Sequence, residues 1–113
     1  MSCIFCDIVS GKRRGQIVYE DDRAVAFRDV NPMAPVHILV VPRDHIVGPL
    51  DFDEANEHLA GHLIAVAARV AQQEGIASDG YRLVLNQGRN AGQSVLHVHL
   101  HVLGGRRMAW PPG

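Results

Sequence analysis

Aromatic side chains are scarce in this chain: one Trp, two Tyr and three Phe among 113 residues. Rings are therefore not common filler, and any clustering of imidazoles stands out. Excess charge is also lacking. Eleven Lys and Arg against twelve Asp and Glu leave a formal net charge of -1, so no global positive field favours nucleic acid or an anionic membrane as partner. Cysteine occurs twice, as Cys3 and Cys6, too close to one terminus to staple any sizeable loop. The longest membrane-like run, residues 59–71, is broken by His62 and Arg69, which excludes a bilayer span. The N-terminus has no charged segment followed by an apolar one, and a cytoplasmic location is expected. Internal repeats, low-complexity blocks and linkers are missing too. With 47% hydrophobic and 20% charged residues, residues 1–113 read as one ordinary globular domain.

What is present is concentrated in residues 96–103, Leu-His-Val-His-Leu-His-Val-Leu. As a β-strand this period-two pattern places His97, His99, His101 and Leu103 on one face and Leu96, Val98, Leu100 and Val102 on the other. Same-face neighbours stand about 6.5–7 Å apart, so adjacent imidazoles can meet at one atom. His97 and His101, roughly 13 Å apart, cannot. Solvated filler on a polar face is the plainer alternative, and strict alternation of three argues against it.

Along the chain, Ile4, Phe5, Ile8 and Val9 keep helical spacing before Ser10-Gly11, predicting a short capped helix. Lys12, Arg13 and Arg14 form a basic turn. Residues 17–20 and 24–29 read as strands joined by the Asp21-Asp22-Arg23 turn, and 37–41 as a third strand ending at Pro42. Asp51 and Glu54 suggest a capping arrangement ahead of the principal helix, whose stripe runs through Ala55, Leu59, Leu63, Val66 and Val70 to a cap at Gly75. His58 and His62 sit one turn apart on it. Without a third ligand nearby, they fit an exposed face better than a metal pair. Residues 81–86 form a fourth strand and 88–92 a glycine-containing loop. Five strands and one substantial helix, not regularly alternating, predict an α+β meander: a five-stranded antiparallel sheet, one main helix and a short N-terminal helix.

His97-Val98-His99-Leu100-His101-Val102-Leu103 resembles the signature of the histidine triad (HIT) superfamily, and the chain is similar to its Hint branch of purine nucleoside phosphoramidases. The similarity extends from Cys3-Ile4-Phe5-Cys6 through Phe27-Arg28-Asp29, Ala34-Pro35-Val36-His37, Asn86-Gln87-Gly88 and Gly92-Gln93-Ser94 to Trp110-Pro111-Pro112-Gly113. Arg28 stands where eukaryotic Hint proteins typically have histidine, and Leu96 replaces an aromatic. The resemblance implies that His99 attacks the α-phosphorus of a nucleoside 5′-phosphoramidate, its other nitrogen fixed by a backbone carbonyl near His97. A neutral imidazole is a competent nucleophile for such a step. His101 and His37 would position phosphate and move protons. Asn86 and Ser94, with backbone around Gly92, would contact phosphate oxygens. Asp29 would accept from ribose hydroxyls, and Ile4, Phe5, Ile8, Phe27 and Val30 would surround the purine. The family is homodimeric, and an interface would cover Trp110.

Cys3 and Cys6 have the spacing of half a tetrahedral zinc site, free thiols or a redox disulfide being the rivals. Some bacterial relatives complete such a site with residues corresponding to His45 and His97, which implies structural Zn2+ on Cys3, Cys6, His45 and His97 and no ion needed for catalysis. Two functions follow: hydrolysis of purine nucleoside 5′-phosphoramidates such as AMP-amines, or a nucleotide-binding interaction protein with little turnover. The complete set of His37, Asn86, Ser94 and the triad favours the enzyme. A hydrolase using the triad as metal ligands conflicts with the span from His97 to His101.

Overall fold

The computed structural model describes residues 3–113. In chain order the elements are α1 (Ile4–Ser10), β1 (Ile17–Glu20), β2 (Ala24–Arg28), β3 (Val36–Pro42), α2 (Glu57–Gln73), β4 (Tyr81–Leu85) and β5 (Leu100–Gly104). The strands form the expected five-stranded antiparallel sheet, but in the order β1-β2-β3-β5-β4. It is therefore not a simple meander. β5 inserts between β3 and β4 because its alternate residues Leu100 and Val102 are fully apolar and buried, whereas the half-buried β4 tolerates an edge.

Alternation divides the sheet into two unlike faces. Ala24, Ala26, Ile38, Val40, Leu100 and Val102 lie under α2, against its stripe of Leu63, Val66, Ala67, Val70 and Ala71. The two alanines of β2 leave room for the helix to approach. On the opposite face Val25, Phe27, Leu39 and Val41 pack against Phe5 and Ile8 of α1. By strand register, His101 opposite Leu39 and His37 opposite Leu103 share this second face.

Helix ends decide how these layers meet. α1 is capped by the Cys3 side chain, which accepts from the Cys6 N–H, and is stopped by Gly11 at φ 83, a left-handed conformation glycine adopts without strain. α2 follows Asn56, whose side chain makes no cap bond to the helix, and the capping chemistry lies in the turn just before it, two residues later than the sequence predicts. Asp53 accepts from the N–H of Asn56, and Asn56 accepts in return from the N–H of Asp53, the reciprocal arrangement expected of Asp51 and Glu54. At its other end Gly75 donates to Gln72 and Ile76 to Ala71, a Schellman closure with Ile76 buried.

His62 pins α2 to the hairpin rather than binding metal with His58. Its Nε2–H donates to Asp21 at 2.7 Å while Nδ1 accepts from Arg23. Burial raises the Asp21 carboxyl, but donors from Arg23, Tyr19, Ala24 and His62 outweigh it and hold the group well below the usual carboxylate range. No helix among the described residues is long and apolar enough to cross a membrane.

Candidate active site

The histidine stretch is only partly strand. β5 begins at Leu100, so His97 and His99 precede the ladder rather than standing in it as the alternation predicts. Pro42 explains the stop. Pairing of Ile38 with Val102 and Val40 with Leu100 brings Pro42 next along β3, and proline has no N–H to continue the ladder. The Pro42 carbonyl instead accepts the Nε2–H of His97 at 2.9 Å.

Protonation of the four central imidazoles can be traced atom by atom, because a neutral ring has one donor and one acceptor nitrogen. The Met33 N–H donates to His37 Nδ1 at 3.0 Å, so the His37 proton is on Nε2. That N–H reaches His101 Nδ1 at 2.8 Å, which leaves the His101 proton on Nε2. His99 donates from Nδ1 to the His97 carbonyl at 2.7 Å, so the lone pair of His99 is on Nε2. The His99 and His101 ring centroids are 4.9 Å apart. His99 is only 7% exposed, yet among the described residues no buried side-chain nitrogen lacks a partner. Its unpaired Nε2 therefore opens to solvent, as does that of His101.

This neutral state has a physical cause. Burial, then the neighbouring His99 and His37, push His101 down to about 4 against the pull of Asp29. Burial likewise lowers His37, although Asp29 opposes it. Asp29 Oδ2 stands 3.4 Å from His37 Nε2, and its Oδ1 accepts from the Asn31 N–H. The 2.8 Å between His37 and His101 is a hydrogen-bond length. Two nitrogens on one tetrahedral ion would stand about 3.3 Å apart.

Beside this relay lies a second centre. Nitrogen and sulfur atoms of Cys3, Cys6, His45 and His97 all fall within 4.8 Å of one another. His97 Nδ1, free because Nε2 is spent on Pro42, is 3.5 Å from both Cys3 Sγ and Cys6 Sγ, and His45 Nδ1 is 3.2 Å from Cys6 Sγ. Sulfur and nitrogen ligands of one tetrahedral zinc stand about 3.6 Å apart, so these residues fit the ion.

The remaining predicted residues are dispersed. Phe5 packs edge-on against His99, with centroids 5.1 Å apart. Ile8 and Phe27 are core residues of the α1 face, whereas Val30 is 100% exposed. Ile4 and Ser94 line an open groove beside the cysteines. Gly92 has φ 78 at the end of the loop turn, and Asn86 follows β4 directly. Arg28 points the other way, to Glu74 beyond α2 at 2.8 Å. Sequence reasoning missed the main-chain groups of Met33 and Pro42. It also missed Gln93, whose amide donates to the Val47 and Val95 carbonyls and accepts from the Gly88 N–H. A proline closing β3 was the one visible signal among them.

Comparison with known proteins finds relatives over nearly the whole chain. The HIT domain model matches residues 10–108. A 14 kDa zinc-binding protein of Zea mays is 47% identical over 112 residues, 97% of this chain and 87% of that protein. A HIT family hydrolase from Legionella pneumophila superposes with a TM-score of 0.96 at 44% identity, covering 99% of this chain and 100% of that one. A histidine triad nucleotide-binding protein from Candida albicans gives a TM-score of 0.82 at 27% identity, over 97% and 83% of the two chains. The domain match spans most of the sequence and the likeness to solved HIT structures spans nearly all of it: this chain belongs to the HIT domain family.

Proposed function

We infer that the protein is a hydrolase of purine nucleoside 5′-phosphoramidates, working through a nucleotidyl-histidine on His99. The observation that carries this reading is the 2.7 Å hydrogen bond from His99 Nδ1 to the His97 carbonyl. It fixes the tautomer and leaves the lone pair on Nε2 for attack on phosphorus. In the first step the His37–His101 pair takes up a proton from solvent, His99 Nε2 bonds to the α-phosphorus, the P–N bond breaks, and the amine departs with the Nε2 proton of His101, which returns the pair to its neutral state. In the second, water attacks phosphorus, the bond to His99 breaks, and the proton of water returns to His101. His37 holds His101 in the donating tautomer, and Asp29 stabilises positive charge that develops on the pair or accepts from ribose. Asn86, Ser94 and the main chain at Gly92 take the phosphate oxygens. Ile4, Phe5, Ile8, Phe27 and Val30 supply the apolar surroundings of the base.

Cys3, Cys6, His45 and His97 hold one zinc ion, which cross-links α1 to the sheet and takes no part in bond breaking. The name of the Zea mays relative and the distances among the four donors support this. Thiolate ligands suit a reducing compartment, in keeping with a cytoplasmic location. A homodimer would cover the exposed Ile64, Leu85 and Trp110. The test is turnover of a fluorogenic adenosine phosphoramidate by the purified protein. Release of AMP and amine supports the reading. Nucleotide binding without release would leave an interaction protein in its place.

A further inference from the structure

We propose that the Cys3, Cys6, His45 and His97 centre is a positioning device for the nucleophile, acting through the main chain of His97. The proposal rests on the reading of His99 as nucleophile and of the four residues as a metal site.

Residues 97–99 lie outside the β-ladder. Among the described residues their main-chain anchor is one hydrogen bond, from the Val98 N–H to the Ile46 carbonyl. The direction of the His97 carbonyl therefore depends on what holds the His97 side chain. That ring is fully buried and held at both nitrogens: Nε2 by Pro42, Nδ1 by the two sulfurs. The same residue's carbonyl is the one that accepts from His99 Nδ1. One residue thus faces the metal centre with its ring and the nucleophile with its backbone.

A second path runs through α1. Cys3 and Cys6 bracket Phe5, whose ring meets His97 at 6.0 Å and His99 at 5.1 Å, both edge-on. An ion that ties the two thiolates to His45 and His97 therefore fixes the wall of the nucleophile as well as its hydrogen-bond acceptor. Without the ion, Nδ1 of His97 and the first turn of α1 lose a shared restraint. Misplacement of a reacting group by about 1 Å costs on the order of 100-fold in rate, and outer ligand-sphere partners typically contribute about 10- to 100-fold.

Cys3, Cys6 and His45 line an open groove of about 830 Å³, so a chelator can reach the centre in the folded protein. The experiment compares zinc-loaded parent, chelator-treated parent and His45→Ala for zinc content, kcat and KM, and the 15N-1H signal of His99 Nδ1, at one fixed pH. Loss of zinc is expected to lower kcat about 10- to 100-fold with KM changed less than about threefold, and to broaden the Nδ1–H signal. Added zinc, or His45→Cys as an alternative ligand, restores both. Metal-free folded protein with parental kcat and an unchanged signal would overturn the proposal. So would a parent that takes up no zinc. Should His45→Ala unfold, cadmium-loaded parent replaces it: a displaced His99 signal supports the coupling, and an identical one overturns it. If the parent turns over no phosphoramidate while the His99 signal still follows zinc, the coupling stands and only the substrate reading fails.

Discussion

His97 and His99 are two residues apart, both are buried, and both belong to the same unpaired approach to β5, yet their chemistry differs. His97 gives Nε2–H to the Pro42 carbonyl and turns Nδ1 toward two thiols. His99 gives Nδ1–H to the His97 carbonyl and keeps Nε2 free. Residue type is the same in both cases. The difference is which ring nitrogen a main-chain carbonyl has claimed, since the other nitrogen then becomes the acceptor, ligand or nucleophile. The backbone assigns the role.

The comparison breaks most severely if the free nitrogen of His99 is removed. His99→Asn retains a donor toward the His97 carbonyl but has no nucleophilic nitrogen. Turnover should fall by about 10³-fold or more, while zinc content and nucleotide affinity stay within about twofold. Parental turnover by this variant, measured with the fluorogenic substrate, would show that both histidines serve structure only.

Much of this contrast was legible in the sequence, and the part that was not is physical. Alternation correctly put Leu100 and Val102 on one face and His101 on the other, because side-chain direction in a strand follows from period two alone. The spacing argument that His97 and His101 cannot share a centre agrees with rings that face different partners. The end of the ladder was not legible, since it depends on Pro42 being placed opposite the histidine stretch by a pairing between distant segments. Neither were the tautomers: they are set by the carbonyls of Pro42 and His97 and the N–H of Met33, and backbone groups carry no sequence signature. The insertion of β5 between β3 and β4 was missed for a related reason. Strand patterns show which residues are buried on a face, whereas neighbour order depends on how long connections cross. On α2, Asp51 and Glu54 have capping chemistry at capping spacing, and so have Asp53 and Asn56. The prolyl turn at Pro49–Asp51 takes up Asp51 and leaves Asp53 and Asn56 at the helix entrance.

Acid sharpens the comparison through the relay rather than the metal. His101 is held down to about 4 in the folded protein against a usual value of 6.5, and His37 is lowered in the same direction. Between pH about 6.5 and about 4 the unfolded chain binds protons that the folded chain refuses, so stability falls as pH falls through this window and the relay contributes fully above it. Loss of the His101 contribution should be on the order of 3 kcal/mol. Asp21, lowered from 3.8, stabilises above the usual carboxylate value, and its contribution is lost only at lower pH. Urea unfolding from pH 7 to pH 3 should show the first loss in full and the second only beginning. His101→Gln removes the first and Asp21→Asn the second, and each is compared with parent at the same pH so that zinc release cancels. A His101→Gln profile as steep as that of the parent above pH 4 would contradict the neutral relay.

The smallest effect is expected where alternation separates neighbours by a single residue. Phe27 packs into the α1-side core with Phe5, while Arg28 reaches over the opposite face to Glu74. Arg28 therefore cannot act on the histidines as a side chain in the site would. Its ion pair is 2.8 Å long, but the Arg28 side chain is 39% exposed, and pairs of that exposure contribute about 1 kcal/mol or less after solvent screening. Arg28→Ala should lower stability by no more than that and leave kcat and KM for the phosphoramidate within about twofold of parent. A large change in kcat with little loss of stability would mean that the α2 face communicates with the imidazoles through β2. The division between a packing face and a chemical face would then have to be abandoned, because only a shift of the strand itself connects Arg28 to Phe27 and, through Phe5, to His99.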